Sequence, residues 1–365
     1  MSHIQPLTVV IADDSALYRQ MLHNVLRRIE GVEVVGMAAD GREAIECVRR
    51  LRPDALTLDV HMPVLDGISV LRQLRAGGST TRAIMVSSLT GAGAPATVEA
   101  LLEGAFDYLP KPSGLEPHLA RQAIQAALVE KLANLRAALA PKPAPQPVAH
   151  GHGHTGPRAT DAYDAIAIGC STGGPEALRS LVPRLPRGFP VPVFIVQHMP
   201  PGFTATLAAR LDATSAVRVV EAADGMTVEP GTVHVAPGGR HLRIVRRERT
   251  LHCELDDSAP RQGCRPSVDV MLESLVEVHG GRVLAFVLTG MGCDGLQGCR
   301  GLKARGGRVV AQAAEGCAVF GMPKAVIEHG LADAVLPLEA IGDSLAAGAM
   351  PPPQPSTSER TSSAT

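Results

Sequence analysis

Residues 164–178 read DAIAIGCSTGGPEAL. The apolar run Ala165–Ile168 is short and shows no polar alternation, which predicts a strand covered on both faces rather than a half-exposed one. Gly173-Gly174-Pro175 breaks that strand and opens a helix, since proline is welcome in a first helical turn. The same strand–turn–helix order recurs on both sides. Upstream, VVIAD (9–13), VEVVGMA (32–38), DALTLDV (54–60), AIMVSS (83–88) and FDYL (106–109) predict five strands. Amphipathic segments such as SALYRQMLHNVLRRI and GREAIECVRRL lie between them, and a last helix runs from about His118 to Leu139. Downstream, VPVFIVQH (191–198) and VLAFVLTG (283–290) extend the pattern, with helices from about Pro175, Thr204, Asp269 and Gly295. VRVVEA, VHVAPGG, HLRIVRR and TLHCEL are shorter and turn-rich, which predicts some antiparallel pairing. The fold class that follows is α/β. An N-terminal five-stranded parallel sheet is joined to a C-terminal doubly wound α/β domain, whose mostly parallel sheet has a small antiparallel portion.

A chain of 365 residues accommodates two such domains. Residues 141–160, PKPAPQPVAHGHGHTGPRAT, carry too little apolar surface to offset their ordering entropy and read as a linker. His150, His152 and His154 within it read as solvated, because neither Cys nor carboxylate accompanies them. The end, from Pro351, reads as a disordered tail. The expected layout is one domain over 1–126, a helix end and linker over 127–160, a second domain over 161–348 and a tail over 349–365. Thirty-five basic and 36 acidic side chains, with no long basic run, exclude nucleic-acid binding by bulk charge. Aromatics at 2%, with no Trp, leave no stacking platform for single strands. No secretory signal or membrane-length apolar run is visible, and seven scattered cysteines form no CxxC pair. A cytoplasmic location without membrane insertion is the expectation.

In a parallel sheet the carboxyl ends of the strands share one edge. Asp13 and Asp14 end the first expected strand, Asp59 the third and Ser87 the fourth, while Lys111 follows the fifth. One acid at a strand end is common, because strand ends meet water. Three that repel one another at a shared edge call for a cation, and hard oxygen ligands suit Mg²⁺. With a hydroxyl and an ammonium opposite, the set is a phosphoryl-transfer site that has Asp59 as acceptor. Asp54, Asp66 and Asp107 read as turn or capping groups.

Over roughly 7–126 the motifs IADDS, LDVHMPVLDG, VSSLT and YLPKP resemble those of the receiver domain of two-component response regulators, a flavodoxin-like fold. The resemblance implies that a histidine kinase is the phosphodonor and that Asp59 accepts the phosphoryl group. It implies Asp13, Asp14, Asp59 and the backbone carbonyl of His61 as Mg²⁺ ligands. Ser87, Lys111 and a reorienting Tyr108 would form the phosphoryl switch. Pro110, directly before Lys111, departs from the family pattern and stiffens that loop.

In the second half, Gly169-Cys170-Ser171-Thr172-Gly173 spells G-x-S-x-G, a turn that lifts a serine hydroxyl above a sheet. His198 ends the next expected strand, where it could serve as the base, and Asp294 follows the strand 283–290, where it could orient the imidazole. The chain order Ser–His–Asp differs from that of α/β-hydrolases. A competing reading is a nucleotide loop built on Gly169, Gly173 and Gly174. Ser171 breaks G-x-G-x-x-G, however, and Gln197-His198 stands where a ribose-binding acid belongs. Cys170 reads as a buried small residue facing away from Ser171. His234 and His241 read as turn or surface-strand residues, and Asp269 as a helix N-terminal residue.

GCSTGGPEAL, VQHMPPGFT, VAPGGRHL, RPSVDVML, LTGMGCDG and VFGMPKAV, over roughly 162–346, resemble the catalytic domain of chemotaxis response-regulator protein-glutamate methylesterases. The resemblance implies a cytoplasmic phosphoprotein of chemotactic two-component signalling. As a hydrolase it acts on glutamate methyl esters of methyl-accepting chemoreceptors, releasing methanol, and as a deamidase it converts receptor glutamines to glutamate. Ser171, His198 and Asp294 are the implied catalytic residues, and Thr172 and Met291 adjoin the oxyanion site. Phosphorylation, which needs Mg²⁺, activates the esterase; the esterase reaction itself needs no cofactor. A non-catalytic signalling adaptor and a DNA-binding regulator are the alternatives. An intact Ser, His and Asp argue against the first, and the lack of a basic helix-turn-helix candidate argues against the second.

Overall fold

The computed structural model describes residues 5–88, 93–112, 114, 116–140 and 163–347. The expected linker with its three histidines and the expected tail therefore lie outside the described residues. The chain divides into two compact units, Met1–Ala140 and Pro141–Thr365.

The first unit alternates strictly: β1 (Leu7–Ala12), α1 (Ala16–Leu26), β2 (Val32–Ala38), α2 (Gly41–Leu51), β3 (Ala55–Asp59), α3 (Gly67–Ala76), β4 (Arg82–Ser88), α4 (Gly93–Leu102), β5 (Asp107–Lys111) and α5 (Pro117–Leu139). Its five strands pair in parallel in the order β2-β1-β3-β4-β5. Val9, Val10, Ile11, Leu56, Leu58, Ile84 and Met85 are fully buried. That accounts for the near-continuous apolar strands, because helices cover both faces. Helix starts follow local chemistry. Ser15 accepts from the Tyr18 amide, Asp66 from the Ser69 amide, and Asp40 from those of Arg42 and Glu43. Asp54 takes the Thr8 amide and hydroxyl, and Asp107 pairs with Lys131. α5 buries Leu128, Leu132 and Leu135, so packing continues past position 126.

The second unit comprises β6 (Ala165–Cys170), α6 (Gly174–Leu181), β7 (Val193–Gln197), α7 (Phe203–Asp212), β8 (Arg218–Glu221), β9 (Thr232–Val235), β10 (His241–Arg247), β11 (Thr250–Asp256), α8 (Val268–His279), β12 (Val283–Val287), α9 (Leu296–Ala304), β13 (Arg308–Gln312), α10 (Met322–Glu328), β14 (Ala334–Leu336) and α11 (Leu338–Ala347). Seven strands form a parallel sheet in the order β14-β13-β12-β6-β7-β9-β8. Among the strands of the described residues only β10 and β11 pair antiparallel, as a separate hairpin. Of the four turn-rich segments, HLRIVRR and TLHCEL supply the expected antiparallel portion, while VRVVEA and VHVAPGG lie parallel in the main sheet. The turn-rich stretch between them returns the chain to the edge from which β8 started, and richness in turn residues reports a loop without giving its direction. Among the described residues no helix is long and apolar enough to cross a membrane.

His234 and His241 are not on the surface: they are 1% and 0% exposed. His234 sits inside β9, stacks on Phe194 with ring centroids 5.4 Å apart, and places Nδ1 3.8 Å from Cys253 Sγ. Burial, with a smaller push from Arg218, lowers its pKa to about 4. The unfolded chain protonates this ring near pH 6.5, whereas the folded chain resists until about 4. Its contribution is therefore complete above pH 6.5 and is lost as the pH falls to 4, by about 3 kcal/mol. His234→Phe keeps the stack and removes the proton acceptor. Urea unfolding of the second unit at pH 7 and pH 4 is expected to show a smaller acid loss in the variant, by about that amount. Equal losses in the two proteins would disprove the assignment.

Candidate functional site

In the first sheet the order reverses between β1 and β3, and such a switch point opens a crevice at the carboxyl ends of the strands. Asp13 is buried just beyond β1, Asp14 beside it is exposed, and Asp59 ends β3 at 5% exposure. The three carboxylates bring oxygens within 4.8 Å of one another. Lys111 Nζ, at the end of β5, donates to Asp13 Oδ2 at 2.9 Å and to Asp59 Oδ2 at 2.7 Å. Burial raises the Asp59 carboxyl above its usual range, against a partial offset from Lys111, and the His61 backbone N–H also favours the charged form. Burial disfavours the Lys111 charge, but its bonds to Asp59 and Asp13 outweigh this and hold the ammonium above an ordinary lysine.

Ser87 lies buried near the end of β4, its hydroxyl 3.2 Å from the Gly93 carbonyl. Tyr108, in β5, has its ring 5.0 Å from Lys131 Nζ. Sequence reasoning missed Tyr18, whose ring centroid lies 4.6 Å from Lys111 Nζ. No motif marks it; the turn of α1 carries it over the acids. Three hard oxygen donors beside one ammonium fit a small divalent cation and a phosphoryl group.

The second sheet reverses between β6 and β12, and the chain after β7 adjoins the same edge. Ser171 follows β6, His198 follows β7 and Asp294 lies beyond β12, so the three expected residues converge there. Their neighbours hold the turn from the inside. The Ser171 amide donates to the Thr289 carbonyl at 3.0 Å, and its carbonyl accepts from the Gly174 amide at 2.8 Å and from Gln197 Nε2 at 3.0 Å. Gly173 takes a positive φ of 81°. A Cβ there would lie 2.4 Å from Ala318 Cβ, and one at Gly174 1.9 Å from Gln197 Oε1. The glycines are thus filled by protein rather than left open as a pyrophosphate cradle. Cys170 is fully buried, as expected, and burial pushes its thiol up.

Asp294 is 2% exposed and accepts five hydrogen bonds. His198 Nε2 lies 2.8 Å from Oδ2, and because a carboxylate only accepts, Nε2 carries the proton. The others come from the Ser267 hydroxyl at 2.7 Å and the amides of Val268 at 2.7 Å, Asp269 at 3.1 Å and Gly295 at 3.0 Å. The first amides of α8 thus point at this carboxylate, as the dipole of a helix favours. Burial works to raise the Asp294 carboxyl, but these donors hold it below the usual range. Burial likewise disfavours charge on His198, yet hydrogen bonds to Asp294 and Cys264 prevail and raise its pKa to about 9. Its Nδ1 lies 3.7 Å from Cys264 Sγ. That nitrogen is the one left free of Asp294, and it makes no hydrogen bond to Ser171. Catalytic hydrogen bonds of this kind often form only once substrate is bound.

Thr172 presents its carbonyl to the Thr289 hydroxyl at 2.9 Å, and Met291 is 43% exposed beside the site. A Cβ on Gly290 would lie 2.8 Å from Ser171 Cβ, so the 290–292 turn rests on the serine. Gln197, Ser267, Cys264 and Gly290 were not read as site residues in the sequence. Asp269 begins α8 as expected, its carboxylate accepting from the Gly298 amide and Gln262.

Two family models match the chain: a response regulator receiver domain over residues 9–123 and CheB methylesterase over residues 166–345. A Thermotoga maritima protein-glutamate methylesterase/protein-glutamine glutaminase is 42% identical over 340 residues, covering 93% of this chain and 97% of its own. A protein of the same name from Symbiobacterium thermophilum is 42% identical over 362 residues, covering 93% and 96%. Among solved structures, the Thermotoga maritima CheB methylesterase catalytic domain aligns with a TM-score of 0.50 at 46% identity, over 51% of this chain and 98% of that one.

Proposed function

Because the chain belongs to the protein-glutamate methylesterase/protein-glutamine glutaminase family, we propose that it is a phosphorylation-activated hydrolase of glutamate methyl esters on chemoreceptors, serving chemotactic adaptation. It also deamidates receptor glutamines. The observation that carries the reading is the His198–Asp294 pair at a sheet switch point, one strand end from a serine whose backbone is held by Thr289, Gly174 and Gln197.

In this mechanism the Ser171 hydroxyl attacks the γ-carbonyl carbon of the methyl ester. His198 takes the hydroxyl proton at Nδ1 while its Nε2–H stays on Asp294, which stabilises the imidazolium. The backbone amides of Thr172 and Met291 face the developing oxyanion. Collapse expels methoxide, which leaves as methanol with the proton from His198. Water, deprotonated by the same imidazole, then releases the glutamate carboxylate and restores the serine. With a glutamine substrate the leaving group is ammonia.

In the receiver unit Asp59 is the phosphoacceptor, the histidine kinase of the chemotaxis system is the phosphodonor, and Ser87, Lys111 and Tyr108 respond to the phosphoryl group. Asp13, Asp14 and Asp59, with the His61 carbonyl, would hold Mg²⁺, which neutralises charge on the phosphoryl oxygens. A phosphorylated Asp59 changes which conformations of its unit are populated, and that shift raises esterase turnover.

The test is methanol release from methylated receptor membranes, with and without Mg²⁺ and a small-molecule phosphodonor. Stimulated release is expected. Asp59→Asn is expected to abolish the stimulation while leaving unstimulated turnover in place. Continued response in that variant would reject Asp59 as the switch, and no release from any form would reject the esterase reading.

A further inference from the structure

Beyond its proposed part in ester hydrolysis, the His198 imidazole belongs to a second cluster. Ligand atoms of His198, Cys264 and Asp294 all lie within 4.8 Å of one another. Nothing in the esterase mechanism uses Cys264. We propose that Cys264 and His198 form an inhibitory binding site for a soft divalent cation of the zinc class.

The geometry is that of a ligand pair. Zinc bonds of about 2.3 Å to sulfur and about 2.0 Å to nitrogen, at a tetrahedral angle, separate the two ligand atoms by about 3.6 Å. Cys264 Sγ and His198 Nδ1 stand 3.7 Å apart. The other ring nitrogen already donates to Asp294 at 2.8 Å. A metal-bound imidazole backed by a carboxylate on its far nitrogen is the arrangement that fixes the tautomer and raises ligand basicity. Asp294 thus acts from behind the imidazole, and its own oxygens stay with the amides at the start of α8. Thiolate and imidazole together select zinc-like ions over Mg²⁺, which separates this site from the carboxylate cluster of the receiver unit. Cys264 is half-buried and His198 is not sealed off, so an ion can reach both.

Binding releases to solvent the thiol proton and, where the imidazole is protonated, the proton on Nδ1; it forms one bond to sulfur and one to Nδ1, and leaves water in the remaining positions. The lone pair on Nδ1 is then engaged and cannot take the Ser171 proton, so hydrolysis stops until the ion leaves. This consequence rests on the esterase reading above, whereas the site itself does not.

Co²⁺ serves as a spectroscopic stand-in for zinc on the full-length protein. A thiolate-to-cobalt charge-transfer band in the near ultraviolet is expected in the parent. It should vanish in both Cys264→Ser and Cys264→Ala, and persist in Cys293→Ser, which removes the exposed neighbouring thiol. The histidines at 150, 152 and 154 carry no thiolate and cannot produce the band. In parallel, Zn²⁺ should reduce methanol release and a chelator should restore it. The half-inhibiting Zn²⁺ concentration should rise by at least about tenfold in Cys264→Ser, read as the ratio of rates with and without zinc within each protein. A band that survives loss of Cys264, or is absent from the parent, overturns the site. A Cys264-dependent band in a protein that never releases methanol leaves the site standing and overturns the esterase reading instead.

Discussion

Ser171→Ala is expected to lower methanol release by about 10,000-fold to a million-fold, with the fold intact. The range follows from serine hydrolases, in which loss of the nucleophile costs nearly as much as loss of the whole triad. Structural integrity follows from the contacts. Every hydrogen bond that holds this residue uses its backbone: the amide to Thr289, the carbonyl from Gly174 and Gln197. Alanine keeps them all, and the change in stability should stay within about 0.5 kcal/mol. Cys170 cannot take over, because it is fully buried and its thiol is pushed up by that burial. Methanol release and urea unfolding on the same preparation separate the two effects. Turnover near the parent value would remove Ser171 from the mechanism.

Asp294→Asn is expected to cost about 10,000-fold in turnover, because the amide can no longer hold His198 in the tautomer that leaves Nδ1 free for Ser171. Unlike the serine change, it also destabilises. The carboxylate accepts five hydrogen bonds at 2% exposure, and an amide nitrogen in place of either oxygen confronts buried donors with another donor. Each donor left unsatisfied costs about 1–3 kcal/mol. The titration of the base moves as well. The hydrogen bond to Asp294 is the first of the interactions that carry the His198 pKa to about 9, so its removal moves that pKa down. Residual activity should therefore reach its plateau at lower pH in Asp294→Asn than in the parent. A pH–rate profile and an unfolding curve on the variant measure all three effects. An unchanged profile with full turnover would mean that Asp294 does not orient or tune the base.

Much of this was legible in linear sequence. Apolar runs without polar alternation marked Val9–Ala12, Ala83–Val86 and Ile166–Ile168 as strands buried on both faces, because only a parallel sheet covered by helices hides every side chain of a strand. Once the sheet was parallel, Asp13, Asp59, Ser87 and Lys111 had to share one edge, as did Ser171, His198 and Asp294. The convergence of both sets of candidate residues could be expected from strand ends alone.

The tertiary structure decided what depends on contacts between distant segments. The direction of β8 and β9 was invisible, because a turn-rich loop does not say from which edge the chain re-enters. His234 and His241 looked like surface residues, since a polar side chain in a short strand carries no local sign of the layers that pack over it. The supports of the candidate triad were hidden for the same reason. Ser267 and the amides of Val268 and Asp269 hold Asp294 from 25 to 27 residues away in the chain, and Cys264 meets His198 across 66 residues. Periodicity and strand-end chemistry are local, so the sequence by itself determined the sheets and the residues along their edges. Which nitrogen of His198 faces a carboxylate and which a thiol is set by the packing of α8 and the 262–265 turn against that edge, and only the folded chain contains it.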